Sequence, residues 1–119
     1  MKEIFVPYDQ AINTHDFEEV AKLLHEKAVF LFNGQTFANR EQLKMYHENF
    51  WNSVKESKFW HTDIKWLHID SKTMVCTSTY NYSGYVDGNF TEGKGTSTDV
   101  FVKNELTDKW ELIHEHSSK

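Results

Sequence analysis

The first quarter of the chain carries apolar residues at helical spacing. Apolar side chains recur three and four positions apart over residues 4–12, which predicts a helix that starts near Val6, since Pro7 suits only a first turn. Asp16 followed by Glu19 is typical of a helix N-cap. The apolar face after this cap predicts a second helix over residues 17–26.

A hairpin and a third helix are predicted next. Residues 28–32 are rich in β-formers, and Asn33-Gly34 is the commonest two-residue hairpin turn because both residues tolerate positive φ. Residues 35–38 would be the return strand. Asn39 is then a second N-cap, and the apolar spacing after it predicts a helix over residues 40–54.

The second half of the chain changes from helical periodicity to alternation. Gly93 and Gly95 within this half predict a bulge or a strong bend. The alternation predicts four strands joined by short turns, over residues 58–69, 73–86, 91–103 and 109–116.

This order of elements predicts an α+β fold in one domain, residues 1–119. Three helices cover only one face of a sheet, and long strands coil instead of lying flat. We therefore expect a cone-shaped α+β barrel, with the N-terminal helices packed in the concave face of a strongly bent mixed or antiparallel sheet. The interior of the cone is the expected place for a ligand.

Composition narrows the range of partners. The chain has 13 basic and 18 acidic residues and a formal net charge of −5, which argues against nucleic acid and anionic membranes as partners. The absence of a long apolar run, a start without an apolar signal segment and a lone cysteine, Cys76, favour a cytoplasmic protein. Aromatic residues make up 15% of the chain, enough to build a ring-rich core or to wall a cavity.

The C-terminal strands carry a family resemblance. Residues 95–103 (GTSTDVFVK) and 110–117 (WELIHEHS) resemble the ending of SnoaL-like domains and of the calcium/calmodulin-dependent kinase II association domain. The passage from Asp16-Phe17 to Ala28-Val29-Phe30 is similar to the usual first part of that superfamily. The chain thus resembles the nuclear-transport-factor-2-like superfamily, the cystatin-like α+β cones, which includes ketosteroid isomerase.

The resemblance implies a range of functions. The superfamily includes isomerases, dehydratases, cyclases and oligomerisation modules. Kinase association domains carry an arginine in the pocket where this chain has Asp99, which argues against an anion-binding pocket of that type. The isomerases use a carboxylate base, and Asp99 is the strand carboxylate that matches such a role.

Three residues are candidates for chemistry. Asp99 shares a strand face with Ser97 and Phe101, and if it faces the cone, burial would raise its pKa and make it a general acid or base. Tyr80 and His114 would hydrogen-bond an enolate-like oxygen. The alternative for Asp99 is a solvent-facing position or an ion pair with a neighbouring lysine.

Strand parity and helix faces predict the ligand pocket. Alternation puts His114 and His116 on one face with Trp110 and Leu112. No third ligand accompanies the two histidines at a telling spacing, so we expect no metal site and no cofactor. The expected pocket residues are Tyr8, Tyr46, Phe50, Tyr82, Phe101 and His116.

Two functions follow from these expectations. The first is a protein that holds a small, largely apolar ligand, with cofactor-independent isomerase, dehydratase or cyclase chemistry. The second is a non-catalytic module for oligomerisation or ligand binding. In both cases a homodimer is expected, formed through the outer sheet face. The alternating face of the first long strand, Trp60, Thr62, Ile64 and Trp66, predicts either sheet packing or that interface.

Overall fold

The computed structural model describes residues 4–119 and has the predicted α+β architecture. The single-domain expectation includes residues 1–3, which lie outside the described part. The elements are α1 (Phe5–Asn13), α2 (Phe17–Ala21), β1 (Leu24–Phe32), β2 (Gln35–Phe37), α3 (Arg40–Ser53), β3 (Lys55–Ile69), β4 (Thr73–Val86), β5 (Asn89–Asn104) and β6 (Lys109–Ser118). In this range no helix is both long and apolar enough to cross a bilayer.

One mixed sheet organises the described chain. Its six strands follow the order β2-β1-β6-β5-β4-β3, in which β3 to β6 form the expected antiparallel meander. Strand β1 pairs with β6 in parallel and with β2 through the predicted Asn33-Gly34 hairpin. The helices bury apolar faces against the sheet, and the shared core includes Phe5, Val20, Leu43 and Met74.

The predicted caps form, but the second helix is shorter than expected. The Oδ1 atoms of Asp16 and Asn39 accept hydrogen bonds from the backbone of Glu18 and Gln42. Helix α2 ends at Ala21 instead of residue 26, so the prediction for residues 22–26 is wrong. The tertiary pairing of β1 with β6 overrides helical propensity there, because Leu112 donates its backbone N–H to the carbonyl of Leu23.

Gly93 and Gly95 were predicted to form a bulge or a strong bend, and they do not form a bulge. Strands β4 and β5 pair in continuous register along their whole length. The glycines instead leave room for tyrosine rings that lie flat across the neighbouring strand. A Cβ atom at Gly93 would overlap the Tyr82 ring, and one at Gly95 would overlap the Tyr80 ring and the Ser118 carbonyl oxygen.

Bulges occur elsewhere and reverse strand parity. On β3 one extra residue lies between the Thr62 and Lys65 pairings, and Asp63 there has a φ of 53°. As a result Trp60 is 40% exposed, whereas Ile64 and Trp66 pack against the core. The expectation that Trp60, Thr62, Ile64 and Trp66 form one face is therefore wrong, because alternation counts residues and a bulge inserts one.

The space reserved by Gly95 provides a stability test. We expect Gly95→Ala to lower the free energy of unfolding by about 1–3 kcal/mol, since the added methyl group overpacks the Tyr80 ring. The neighbouring Lys94→Ala, on an exposed position, is the matched control. Urea denaturation of both variants measures the difference, and equal stabilities would contradict the packing role.

Candidate functional site

The concave face of the sheet encloses a cavity of about 340 Å³ between α1, α3 and the strands. Eight Phe and Tyr rings line it, and six of these follow one another with neighbouring ring centroids 5.4–6.5 Å apart. Such edge and stacked arrangements fix ring orientation. We call this set the aromatic collar: Phe32, Tyr46, Phe50, Phe59, Tyr80 and Tyr82.

The cavity has a polar floor built from β5 and β6. Glu115 and Ser117 line the cavity, and Asp99 lies directly across from Glu115 on the neighbouring strand, with no solvent exposure. Ser97 donates its hydroxyl to Asp99 Oδ2 at 2.9 Å. The other oxygen, Oδ1, is buried and has no hydrogen-bond partner among the described residues. The floor therefore presents the carboxyl group of Glu115 to a mostly apolar cavity, and Asp99 lies behind it.

The two carboxyl groups behave as one unit. Burial is the main cause that raises the pKa of Glu115 well above its ordinary value, and the neighbouring Asp99 raises it further. Burial also raises the pKa of Asp99, while a hydrogen bond with Glu115 opposes the rise. Oxygen atoms of the two buried carboxyl groups lie within 4.8 Å of each other. Both groups cannot easily be ionised at this distance, so the pair shares a proton. The shared proton belongs to the pair and is not assigned to one of the two carboxyl groups.

A third carboxyl group, that of Asp9, is hydrogen-bonded to His61 next to the pair. Asp9, on α1, accepts a hydrogen bond from His61 Nδ1 at 2.7 Å and another from the His61 backbone N–H at 3.2 Å. The side chain of His61 is 1% exposed, and Phe5 stacks on its ring at 3.9 Å. Asp9 therefore fixes the ring orientation, and Nε2 is left buried without a hydrogen-bond partner in the described chain.

These groups also have the spacing of a cation site. Possible ligand atoms of His61, Asp99 and Glu115 lie within 4.8 Å of one another. Asp9 accepts a hydrogen bond from Nδ1 of His61, as a carboxylate often does at a metal-bound histidine. A hard divalent ion would find two carboxylates and one imidazole here. The same spacing fits a proton shared between the two carboxyl groups.

Hydroxyl groups complete the lining. The Tyr8 hydroxyl lies 3.4 Å from His47 Nε2, and His47 Nδ1 donates to the Leu43 carbonyl oxygen at 2.8 Å. Burial raises the pKa of Tyr80 to about 12, and its hydroxyl has no partner among residues 4–119. Tyr80 thus remains a neutral donor that faces the cavity.

Several residues expected from the sequence meet at this cavity. Tyr8, Tyr46, Phe50, Tyr80 and Tyr82 line it. Asp99 is buried on the same strand face as Ser97 and Phe101, as parity predicts, but it lies one layer behind the cavity wall. Its alternative, an ion pair with a lysine or an exposed position, is wrong.

Three expected residues lie elsewhere. His114 Nδ1 donates a hydrogen bond to the Val29 carbonyl oxygen at 2.8 Å, and His116 is exposed on the outer sheet face. Phe101 packs in the core against Phe5 and does not line the cavity. The cause for the histidines is a bulge: Val100 pairs with His114 and Phe101 with Leu112, so Ile113 is an extra residue that reverses parity after Leu112.

Sequence reasoning missed Glu115, Asp9 and the position of His61. Glu115 stands between the two histidines of the C-terminal motif, and regular alternation would turn it outward. No glycine or other typical bulge residue at Ile113 marks the bulge in the sequence. Asp9 and His61 are 52 positions apart, and only the packing of α1 on β3 brings them together.

Comparison of the chain with known protein families identifies its family. The model of the family "Calcium/calmodulin dependent protein kinase II association domain" matches residues 1–119. The chain belongs to this association domain family. Among curated proteins, no sequence match reaches significance.

Several solved structures have the same fold as this member of the association domain family. A candidate association domain of the same kind from Xanthomonas campestris is 24% identical, with a TM-score of 0.85 over 98% of this chain and 83% of that chain. A nuclear transport factor 2-like protein from Salmonella enterica is 14% identical, with a TM-score of 0.83 over 96% and 84%. A candidate dehydratase from Streptomyces avermitilis is 16% identical, with a TM-score of 0.78 over 95% and 88%. At these identities the likeness establishes the cystatin-like fold alone.

Burial of His47 predicts a pH-dependent stability. Burial lowers the pKa of His47 from 6.5 to about 4, so the folded state holds the imidazole neutral while the unfolded chain protonates it. This group therefore contributes stability above pH 6.5, and up to about 3 kcal/mol of it is lost as the pH falls from 6.5 to 4. We expect His47→Gln to remove that loss.

Urea unfolding at pH 7, 5.5 and 4 checks this prediction. The exposed His116→Gln is the control and should follow the wild-type curve. The carboxyl pair contributes in the opposite direction in all three proteins, so the difference between variants isolates His47. A His47→Gln curve parallel to the wild-type curve would contradict the prediction.

Proposed function

We propose that this protein holds a small, largely apolar ligand in the aromatic collar and exchanges a proton with it at the polar floor. The observation that carries the proposal is Glu115, a buried carboxyl group paired with Asp99 on the wall of a cavity otherwise lined mainly by rings. A cavity of about 340 Å³ that is mostly apolar with a few convergent polar groups is the usual form of a small-molecule site.

The proposed chemistry is general acid–base catalysis without a cofactor. Glu115 gives its proton to a ligand oxygen, and the resulting Glu115 carboxylate then takes a proton from the adjacent ligand carbon, which restores the carboxyl group. Asp99 behind it favours the return of this proton, because two neighbouring carboxylates repel each other. Tyr80 donates a second hydrogen bond to the same oxygen. His61, oriented by Asp9, faces the pair from behind. Isomerisation, dehydration and cyclisation are reactions of this type.

This assignment revises the roles expected from the sequence. Asp99 keeps an acid–base role as the inner member of a pair, and Tyr80 keeps its hydrogen-bonding role. Glu115 replaces His114 as the second polar group, since His114 is held at the Val29 carbonyl oxygen outside the cavity.

Proton exchange is tested without knowledge of the natural substrate. A panel of small enolisable ketones in D2O is followed by NMR, and we expect the wild-type protein to accelerate deuterium uptake next to the carbonyl group. We expect Glu115→Gln to reduce that rate by about 10²-fold or more, because the amide has no proton to transfer.

The control for this experiment is His116→Gln, on the outer face of the same strand. It should retain the wild-type rate, and circular dichroism should show both variants folded. No acceleration by the wild-type protein for any ketone between pH 5 and 8, or equal rates for Glu115→Gln and wild type, would refute the acid–base role.

Family membership favours a second function, self-association. The family model is that of an association domain, and its match to the whole chain supports oligomerisation as the second candidate. The outer sheet face offers a shallow polar surface for such a contact, which includes Lys65, Thr77, Thr98 and His116.

We expect a homodimer through this surface. Size-exclusion chromatography with light scattering measures the mass at micromolar concentration, and Thr98→Arg should shift a dimer to monomer because it places a charge at the centre of the surface. Lys94→Ala, toward the other end of β5, is the control. A wild-type monomer at micromolar concentration would rule out the dimer.

A further inference from the structure

A buried gap between three side chains lies behind the cavity wall. Possible ligand atoms of His61, Asp99 and Glu115 lie within 4.8 Å of one another. The side chain of His61 is 1% exposed, and the two acidic residues are buried. The His61 ring is hydrogen-bonded to Asp9, and within residues 4–119 no hydrogen bond joins this ring to either carboxyl group. The imidazole therefore faces the carboxyl pair across a gap that no hydrogen bond of its own spans.

The imidazole leaves one nitrogen atom available to this gap. Nδ1 of His61 donates to Asp9 Oδ1 at 2.7 Å, so Nε2 is the remaining nitrogen, and it is buried without a hydrogen-bond partner in the described chain. Phe5 stacks on the ring with centroids 3.9 Å apart, which holds the ring in this orientation. Unpaired buried polar atoms are unfavourable and rare, so each one needs an explanation. A bound ion supplies one here, because Nε2 then has a partner.

The spacing of the three groups fits an atom of metal size. Zinc binds imidazole nitrogen and carboxylate oxygen at about 2.0–2.2 Å, so ligand atoms around one ion lie roughly 3–4 Å apart. The possible ligand atoms of His61, Asp99 and Glu115 lie within 4.8 Å of one another before any ion is bound. A contraction of about 1 Å therefore closes these three groups around an ion.

The donor set determines which ions suit the site. One imidazole nitrogen with two carboxylate oxygens suits Zn²⁺, Co²⁺ or Mn²⁺, whereas Mg²⁺ and Ca²⁺ prefer oxygen ligands alone. Mg²⁺ also keeps several of its waters, and the full burial of Asp99 disfavours a hydrated ion. Asp9 stands where the outer-shell carboxylate of a metal-bound histidine stands, since it holds the proton on Nδ1 and leaves Nε2 as the ligand nitrogen.

We propose that His61, Asp99 and Glu115 bind one transition-metal ion of the Zn²⁺ type, with Asp9 as the positioning residue behind the imidazole. The ion enters from the cavity, because Glu115 lines the cavity and the other two ligands lie behind it. Binding requires both carboxyl groups to be ionised, and any proton on them is released to solvent.

This site goes beyond the proposed function, which needs no metal. A Glu115 carboxylate that is bound to an ion has no proton to give to a ligand oxygen. We therefore expect the ion to inhibit proton exchange, so that the metal-free and metal-bound proteins are an active and an inactive form.

Isothermal titration calorimetry of the metal-free protein with Zn²⁺ tests the site. We expect one zinc ion per chain, and no comparable binding of Mg²⁺. Asp9→Asn should keep this stoichiometry and weaken zinc binding by about 10–100-fold, the usual effect of losing an outer-shell partner. The ¹⁵N NMR signals of the His61 ring should show the proton on Nδ1 in the wild-type protein and on both nitrogens in turn in Asp9→Asn. A role of Asp9 in folding alone would not move these signals.

Loss of a ligand should have a larger effect than loss of Asp9. We expect His61→Gln, Asp99→Asn and Glu115→Gln each to weaken zinc binding by more than about 100-fold. Circular dichroism checks that each variant is folded, and removal of a buried charge is often neutral for folding.

Exposed histidines are the competing zinc sites and provide the matched control. His68 Nε2 lies 2.7 Å from Asp70 Oδ2, and both side chains are about half exposed, at 55% and 51%. His116 is exposed as well. The double variant His68→Gln with His116→Gln should bind zinc as the wild-type protein does.

A measurement on the wild-type protein locates the ion without any variant. Mn²⁺ is paramagnetic and broadens the NMR signals of nearby nuclei. Substoichiometric Mn²⁺ should first broaden the backbone amide signals of Cys76, which pairs with Asp99, and of Phe101 on the same strand face. The amide of Ser71, in the turn beside Asp70, should be broadened only at higher concentration.

The outcomes separate the metal site from the proposed function. Absence of zinc binding by the wild-type protein up to millimolar concentration overturns the site, as does binding that is lost in the surface double variant or broadening that starts at Ser71. Saturating zinc should slow deuterium uptake by about tenfold or more, and EDTA should restore the rate. An unchanged rate overturns the inhibition. Calorimetry and NMR do not depend on proton exchange, so the site can be judged even if the wild-type protein exchanges no proton.

Discussion

Burial of two carboxyl groups side by side is the constraint on which this molecule depends. Asp99 and Glu115 face each other across β5 and β6, and both are buried, with 0% and 6% of their surface exposed. Such a pair persists only if it shares a proton or attracts a positive charge. Both outcomes point toward the adjoining cavity, because Glu115 is the member of the pair that reaches it.

The surrounding helices position the other groups of the site. Helix α1 places Asp9 in contact with His61 and Tyr8 on the cavity wall, and α3 places Tyr46 and Phe50 on the same wall. The glycines of β5 let tyrosine rings from β4 lie close to the backbone, so that the collar can close without overpacking. The site is thus carried by regular strands and helices, which hold side chains more precisely than loops do.

Most of the fold could be predicted from local patterns. The hairpin at Asn33-Gly34, the cap at Asn39 and the four-strand meander follow from turn chemistry, capping and alternation, which act over a few residues. The end of α2 could not, since strand pairing with β6, far along the chain, overrides its helical spacing. The candidate site was predicted in part. Helix faces predicted Tyr8, Tyr46 and Phe50, and strand parity predicted Tyr80, Tyr82 and the buried Asp99, whereas Phe101 lies in the core and His114 and His116 were assigned to the wrong face.

By itself, the sequence determined the order of elements, the aromatic lining and the presence of one carboxylate on an inward strand face, because these depend on spacing within single elements. Only the tertiary structure decided which polar groups meet. A single extra residue at Ile113 turns Glu115 inward, and the packing of α1 on β3 joins Asp9 to His61. Parity is a local rule, and a bulge in one strand is stabilised by its neighbours, so no pattern along the chain reports it.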